Sequence, residues 1–80
     1  MLVIKVLGTG CRNCVRVQNE VELILKETGI EATIEKVEDI KGIMEYQVMR
    51  TPGLVINEKV KSSGRIPKRD EIIKFIQEEL

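Results

Sequence analysis

The chemistry available to this chain is concentrated in eight residues, Gly8-Thr9-Gly10-Cys11-Arg12-Asn13-Cys14-Val15. They hold both cysteines of the 80-residue sequence, separated by two residues. Such a pair serves as a dithiol that cycles with a disulfide or as a thiolate clip for a metal. Histidine is absent, which removes His-containing zinc sites, Cys-His nucleophile pairs and imidazole proton shuttles together. What remains depends on sulfur and on how the backbone presents it.

That presentation follows from the flanking pattern. Leu2 to Leu7, apolar except for Lys5, reads as a strand covered on both faces. Gly8 and Gly10 break the strand and let the chain turn tightly. From Cys14 to Thr28 the period becomes helical, with Cys14, Val17, Val21, Ile24, Leu25 and Thr28 on one face. Gly29 is placed to end this helix. The thiolate, not the thiol, attacks a disulfide, and the free N–H groups and positive dipole end of a helix N-terminus stabilise that anion. In such motifs thiol pKa values fall from about 8.5 to roughly 3.5–7.5. Cys11, just before or within the first turn, is therefore the candidate nucleophile, with the charge of Arg12 beside it. Cys14 lies one turn along the same face and points inward. From there it can attack a mixed disulfide on Cys11 and release the product thiol.

The rest of the chain supplies a frame. Ile30, Ala32 and Ile34 alternate with polar residues, giving a second strand between Ile30 and Val37. Asp39 suits the N-cap of a short helix from Ile40 to about Gln47, with Ile40, Ile43, Met44 and Gln47 on one side. Thr51-Pro52-Gly53 leads into a third strand, Leu54-Val55-Ile56. Asn57 and Glu58 turn the chain into a fourth, Lys59 to Ser63, antiparallel to the third; Asn57 suits a positive φ. Pro67 stands near the start of a last helix, where its missing N–H costs nothing. Ile72, Ile73, Ile76 and Leu80 form the buried face of that helix. The resulting order is β-α-β-α-β-β-α in one domain, residues 1–80, with the first helix crossing between parallel strands. It is the layout of a thioredoxin-like α/β fold, a central four-stranded mixed sheet flanked by helices.

Composition excludes several roles. Thirteen basic residues balance thirteen acidic ones, so no global field draws nucleic acid or an anionic membrane surface. No apolar run approaches the roughly 20 residues of a membrane helix, and Met1-Leu2-Val3-Ile4-Lys5 lacks the basic-then-apolar order of a signal peptide. The expected location is the cytoplasm. In that reducing compartment a close cysteine pair is more often catalytic, sensing or metal-binding than a structural staple.

Gly8 to Cys14, then Thr51-Pro52-Gly53-Leu54-Val55-Ile56, then Val60-Lys61-Ser62-Ser63-Gly64 together resemble the small microbial thioredoxin-like redox-active disulfide proteins, over essentially the whole chain. The resemblance implies a thiol-disulfide oxidoreductase with Cys11 attacking and Cys14 resolving. It needs no cofactor beyond the disulfide itself. Its partners are a protein disulfide substrate and a disulfide reductase that recycles it. A proline before an apolar strand can simply begin that strand, and only about 5–6% of X-Pro bonds in folded proteins are cis. The resemblance instead implies a cis bond at Pro52, facing the disulfide. Thr51 would then offer backbone hydrogen bonds to an extended substrate, and Gly10 and Arg12 would complete its binding surface.

The chain departs from ordinary thioredoxins at several positions. Gly10 stands where those carry an aromatic residue, and no proline separates the cysteines. Their buried acid lies six residues before the first cysteine, which corresponds here to Lys5, subject to loop length. Lys5 either faces solvent or stabilises a thiolate, and the proton acceptor for Cys14 is left open. Three other readings stay open. A Cu(I) or Zn carrier would use the same thiolates, although such domains follow β-α-β-β-α-β and carry methionine where Thr9 stands. A redox sensor would share the residues without turnover. A glutathione-using variant would draw on Arg50, Lys61 and Arg65.

Overall fold

The computed structural model describes residues 2–8, 12–48 and 50–80. Their elements run β1 (Leu2–Leu7), α1 (Arg12–Thr28), β2 (Ala32–Val37), α2 (Ile40–Glu45), β3 (Gly53–Ile56), β4 (Lys59–Ser63) and α3 (Arg69–Glu78). The order agrees with the sequence expectation. The four strands form one mixed sheet in the order β2-β1-β3-β4. β1 and β2 are parallel, while β1–β3 and β3–β4 are antiparallel. The chain is thus an α/β protein with a parallel β1-α1-β2 unit and a β3-β4 hairpin.

Alternation along β1 divides the molecule into two layers. Leu2, Ile4 and Val6 join Val17, Val21, Ile24 and Leu25 of α1, Leu54 and Ile56 of β3, and Ile72 and Ile76 of α3 in one buried cluster. Leu7, on the other face, meets Val55, Ile43 of α2 and Val48. α1 and α3 therefore cover one face of the sheet and α2 covers the other.

Local chemistry explains most element ends. Gly29 takes a φ of 71° and its N–H reaches Leu25 O at 2.9 Å, closing α1 as a left-handed glycine does. Asp39 caps α2 by accepting from Gly42 N at 2.8 Å. The β3-β4 turn places Asn57 and Glu58 both at positive φ, 51° and 68°, the geometry of a two-residue hairpin turn. Asn57 also extends the β1–β3 pairing: its N–H donates to Val3 O at 2.8 Å, and its Oδ1 accepts from Val3 N at 3.1 Å. At the start of α3 the Glu71 carboxylate accepts from the Lys68 N–H at 3.2 Å.

Several boundaries and faces differ from the sequence reading: α1 starts at Arg12 and β3 at Gly53, and Thr28, placed with the inner face of α1, is exposed. β2 starts at Ala32 rather than Ile30, because Ala32 is opposite Leu2, the first residue of β1. α2 stops at Glu45, since Gln47 has a φ of 59° and cannot extend a right-handed helix. On α2 only Ile43 is buried, with Ile40 and Met44 exposed. Leu80, expected inside, lies beyond α3 and is 74% exposed, and Phe75 packs beside Ile72, Ile73 and Ile76 instead.

Candidate functional site

Cys14 sits in the first turn of α1, 5% exposed, and is disulfide-bonded. Its inward orientation follows from the helical period, which places it in line with Val17 and Val21 on the packed side of α1. Gly8, the residue after β1, lies directly against it: a Cβ at Gly8 would overlap Cys14 Sγ and stand 3.0 Å from Cys14 Cβ. The glycine is thus required by close approach. Its N–H donates to Val37 O at 2.9 Å, fixing the end of β1 to β2 beneath the sulfur.

Thr51 approaches from the other side of Gly8, its Cβ 3.7 Å from the same notional Cβ. The Thr51–Pro52 peptide bond is cis. Pro52 is buried while Thr51 is exposed, and Pro52 O accepts from Gly64 N at 3.0 Å. Three segments therefore converge: the β1-α1 junction, the strand entry at Thr51-Pro52, and the loop after β4. The structure brings Cys14 and Thr51 together across Gly8, with Pro52 next along the chain. Arg12 is the first residue of α1 and is exposed. Cys11 and Gly10, named with them from the sequence, lie outside the described residues.

Beside Cys14 is a small cleft of about 20 Å³ lined by Val6, Gly8, Val15, Gln18, Lys36 and Glu38, a volume that holds about one water. Val6, not Lys5, lies on this side. Lys5 points to the α2 face, where its Nζ donates to Tyr46 OH at 2.7 Å and Glu58 Oε1 at 2.7 Å. Tyr46 OH in turn donates to Glu58 Oε2 at 2.7 Å. The hydrogen bond to Glu58, then that to Tyr46, holds the Lys5 ammonium above its ordinary range, against a smaller cost of desolvation. Glu58 is correspondingly pulled down, first by Lys5 and then by Tyr46. Of the two sequence readings for Lys5, neither open solvent nor the sulfurs describes it: it is part of a polar triad across the sheet. The alternation Leu2-Ile4-Val6 contained the signal, since α1 covers that face and Lys5 is out of phase with it.

Gln18, four residues after Cys14 on α1, was within reach of the helical spacing, whereas Lys36 and Glu38 depend on the placement of β2 against β1, in which Val6 is opposite Lys36. Among the described residues no group of three or more metal-ligating side chains gathers, and no helix is long and apolar enough to cross a membrane.

A family described as Thioredoxin domain matches residues 2–77. The chain is 34% identical over 76 residues to a thioredoxin of Methanothermobacter thermautotrophicus, covering 95% of this chain and 99% of that one. It is 39% identical over 72 residues to a thioredoxin of Methanocaldococcus jannaschii, covering 90% and 83%. Among solved structures, a malarial protein superposes with a TM-score of 0.73 at 15% identity, covering 100% of this chain and 98% of that one. The germline-specific thioredoxin Deadhead of Drosophila melanogaster gives 0.69 at 14% identity, covering 99% and 81%. These two likenesses establish the fold.

Proposed function

Because the chain belongs to the thioredoxin-domain family, we propose that it is a thiol-disulfide oxidoreductase acting on protein disulfides. The Cys11 thiolate attacks one sulfur of the substrate disulfide, forming a mixed disulfide and expelling the other substrate sulfur as a thiolate. Cys14 then gives up its proton and attacks Cys11 Sγ. This forms the Cys11–Cys14 disulfide and releases the second substrate thiolate, so the substrate gains two electrons and the protein loses them. A disulfide reductase returns the pair to the dithiol, and no further cofactor takes part. The working compartment is the cytoplasm.

The observation that carries this reading is the meeting of Cys14 with the Thr51–Pro52 junction across Gly8. Thr51, exposed at the rim, presents backbone to an extended substrate segment, and Pro52 closes the wall beside the sulfur. Gly10 leaves room for the approaching chain, and Arg12 places positive charge at the mouth. Catalysed reduction of insulin disulfides by dithiothreitol tests the proposal. Wild-type protein raises the rate above background and Cys11→Ser abolishes the increase; a wild-type rate equal to background refutes turnover.

A further inference from the structure

The charges of this chain cancel overall, yet three of the four stretches around Cys14 carry no acids, and the fourth, the end of β2, brings Glu38 together with Lys36. The first Asp or Glu in the sequence is Glu20; residues 46–57 contain none, and residues 59–69 contain none. These acid-free stretches meet near the sulfur, beside residues 36–38 at the end of β2. Gly8 lies under Cys14 and beside Thr51. Gly64 is hydrogen-bonded to Pro52 and approaches Arg50, whose Cβ is 3.1 Å from the Cβ position at Gly64.

Among the described residues, five cations elsewhere lie in ion pairs. Lys5 pairs with Glu58, Lys59 with Glu79, Lys61 with Glu78 and Glu79, Arg65 with Glu71, and Arg69 with Glu20 and Glu27. Lys26, Lys36, Lys41, Lys68 and Lys74 are exposed and outside any ion pair of the described residues, so what sets the remaining arginines apart is their place, on the first turns of α1 and next to Thr51. Among the described residues Arg12, Arg16 and Arg50 are exposed and make no ion pair. Glu20, four residues beyond Arg16, turns to Arg69 at 3.5 Å instead. Lys36 and Glu38, both lining the cleft, offset each other.

The arginines on α1 are also locally unfavourable. The first turn holds no acidic residue, so Arg12 stands at the positive end of the helix dipole without compensation. Arg16, one turn on, adds a like charge at the i,i+4 spacing. Two such departures, with no partner inside the chain, are expected where a surface serves something outside it.

We infer that this rim selects protein disulfides flanked by acidic residues, with Arg12, Arg16 and Arg50 as the selecting groups. The inference rests on the oxidoreductase reading above and names its substrate class. Guanidinium groups suit the role because their fork of donors grips a carboxylate bidentately. Val15, 44% exposed beside them, gives the docked segment an apolar footing. The selection acts on encounter and orientation, leaving the sulfur chemistry unchanged.

Three disulfide peptides with the same cysteine spacing, flanked by acidic, neutral or basic residues, provide the test. At low ionic strength the reduced protein exchanges with the acid-flanked peptide about tenfold faster than with the base-flanked one, and added salt narrows the gap. The double variant Arg16→Glu/Arg50→Glu reverses the order, and Arg16→Gln/Arg50→Gln brings the rates toward parity should the reversed protein fail to fold. Equal rates for all three peptides overturn the inference and leave the oxidoreductase reading standing. So does a uniform slowing of all three in the variants, which would assign the arginines to thiolate stabilisation alone. No exchange with any peptide overturns both.

Discussion

The two faces of the sheet are unequal. One is covered by α1 and α3, 17 and 10 residues long, and holds a continuous cluster running from Leu2 to Ile76. The other is covered by the six residues of α2, with Leu7, Ile43, Val48 and Val55 as its buried residues. Cys14 belongs to the larger face and the Lys5-Tyr46-Glu58 triad to the smaller. Cys14, 5% exposed, is at the less buried end of the row that Val17, Val21 and Ile24 continue, while the charged group of β1 is kept on the other side of the sheet. The helix that carries Cys14 supplies four of the eleven buried residues of the larger cluster.

Alanine substitutions measure the asymmetry most directly. Ile4→Ala, at a fully buried position on the larger face, costs about 2–5 kcal/mol. Ile43→Ala beneath the short α2 falls at or below the lower end of that range, because the surroundings collapse more easily. Urea denaturation compares them, and equal costs would break the distinction. Gly8→Ala follows, at about 1–3 kcal/mol from overpacking. Because its Cβ displaces Cys14, thiol exchange also slows, as stopped-flow rates against a model disulfide would show. Asp39→Ala removes the cap of α2 and costs about 1 kcal/mol, with no change in exchange rate.

Two smaller effects depend on pH. Lys5 has its folded pKa raised, so its contribution is complete below its unfolded value of about 10.4 and is lost as pH rises through the folded one. Lys5→Met removes that alkaline loss. It leaves the pH profile of thiol alkylation unmoved, since Lys5 is on the far face; a shifted profile would show that the triad reaches the sulfurs. Glu71 is held at about 2, chiefly by Arg65 and then by the Lys68 N–H. Its contribution is complete above about 4.3 and disappears as pH falls toward 2. Glu71→Gln therefore flattens the acid limb of the stability curve, followed by circular dichroism.

Much of this architecture is written in local pattern. The alternation in β1, the three-and-four spacing in α1, Gly29, Asp39 and the Asn57-Glu58 turn each encode their own geometry, and they suffice for the order of elements. Counting back from Cys11 to Lys5 misled because it tracks distance along the chain, whereas the face of a strand is set by parity relative to the packed helix. Ile40, Met44 and Leu80 look like core residues by type, but α2 is too short and α3 ends too early to bury them. The cleft beside Cys14 was invisible because Lys36 and Glu38 arrive through strand register. The arginine rim was hidden in plain composition, where a net charge of zero conceals how the charges are sorted in space.

The sheet leaves two borders, β2 on one side and β4 on the other. Glu35 and Lys36 are on the first, and Lys59 and Lys61 on the second. A second molecule that tried to extend the sheet at either border would have to desolvate the exposed Glu35, Lys36 or Lys59 side chains before gaining any backbone hydrogen bond. The two edge strands are thereby kept from templating fibres.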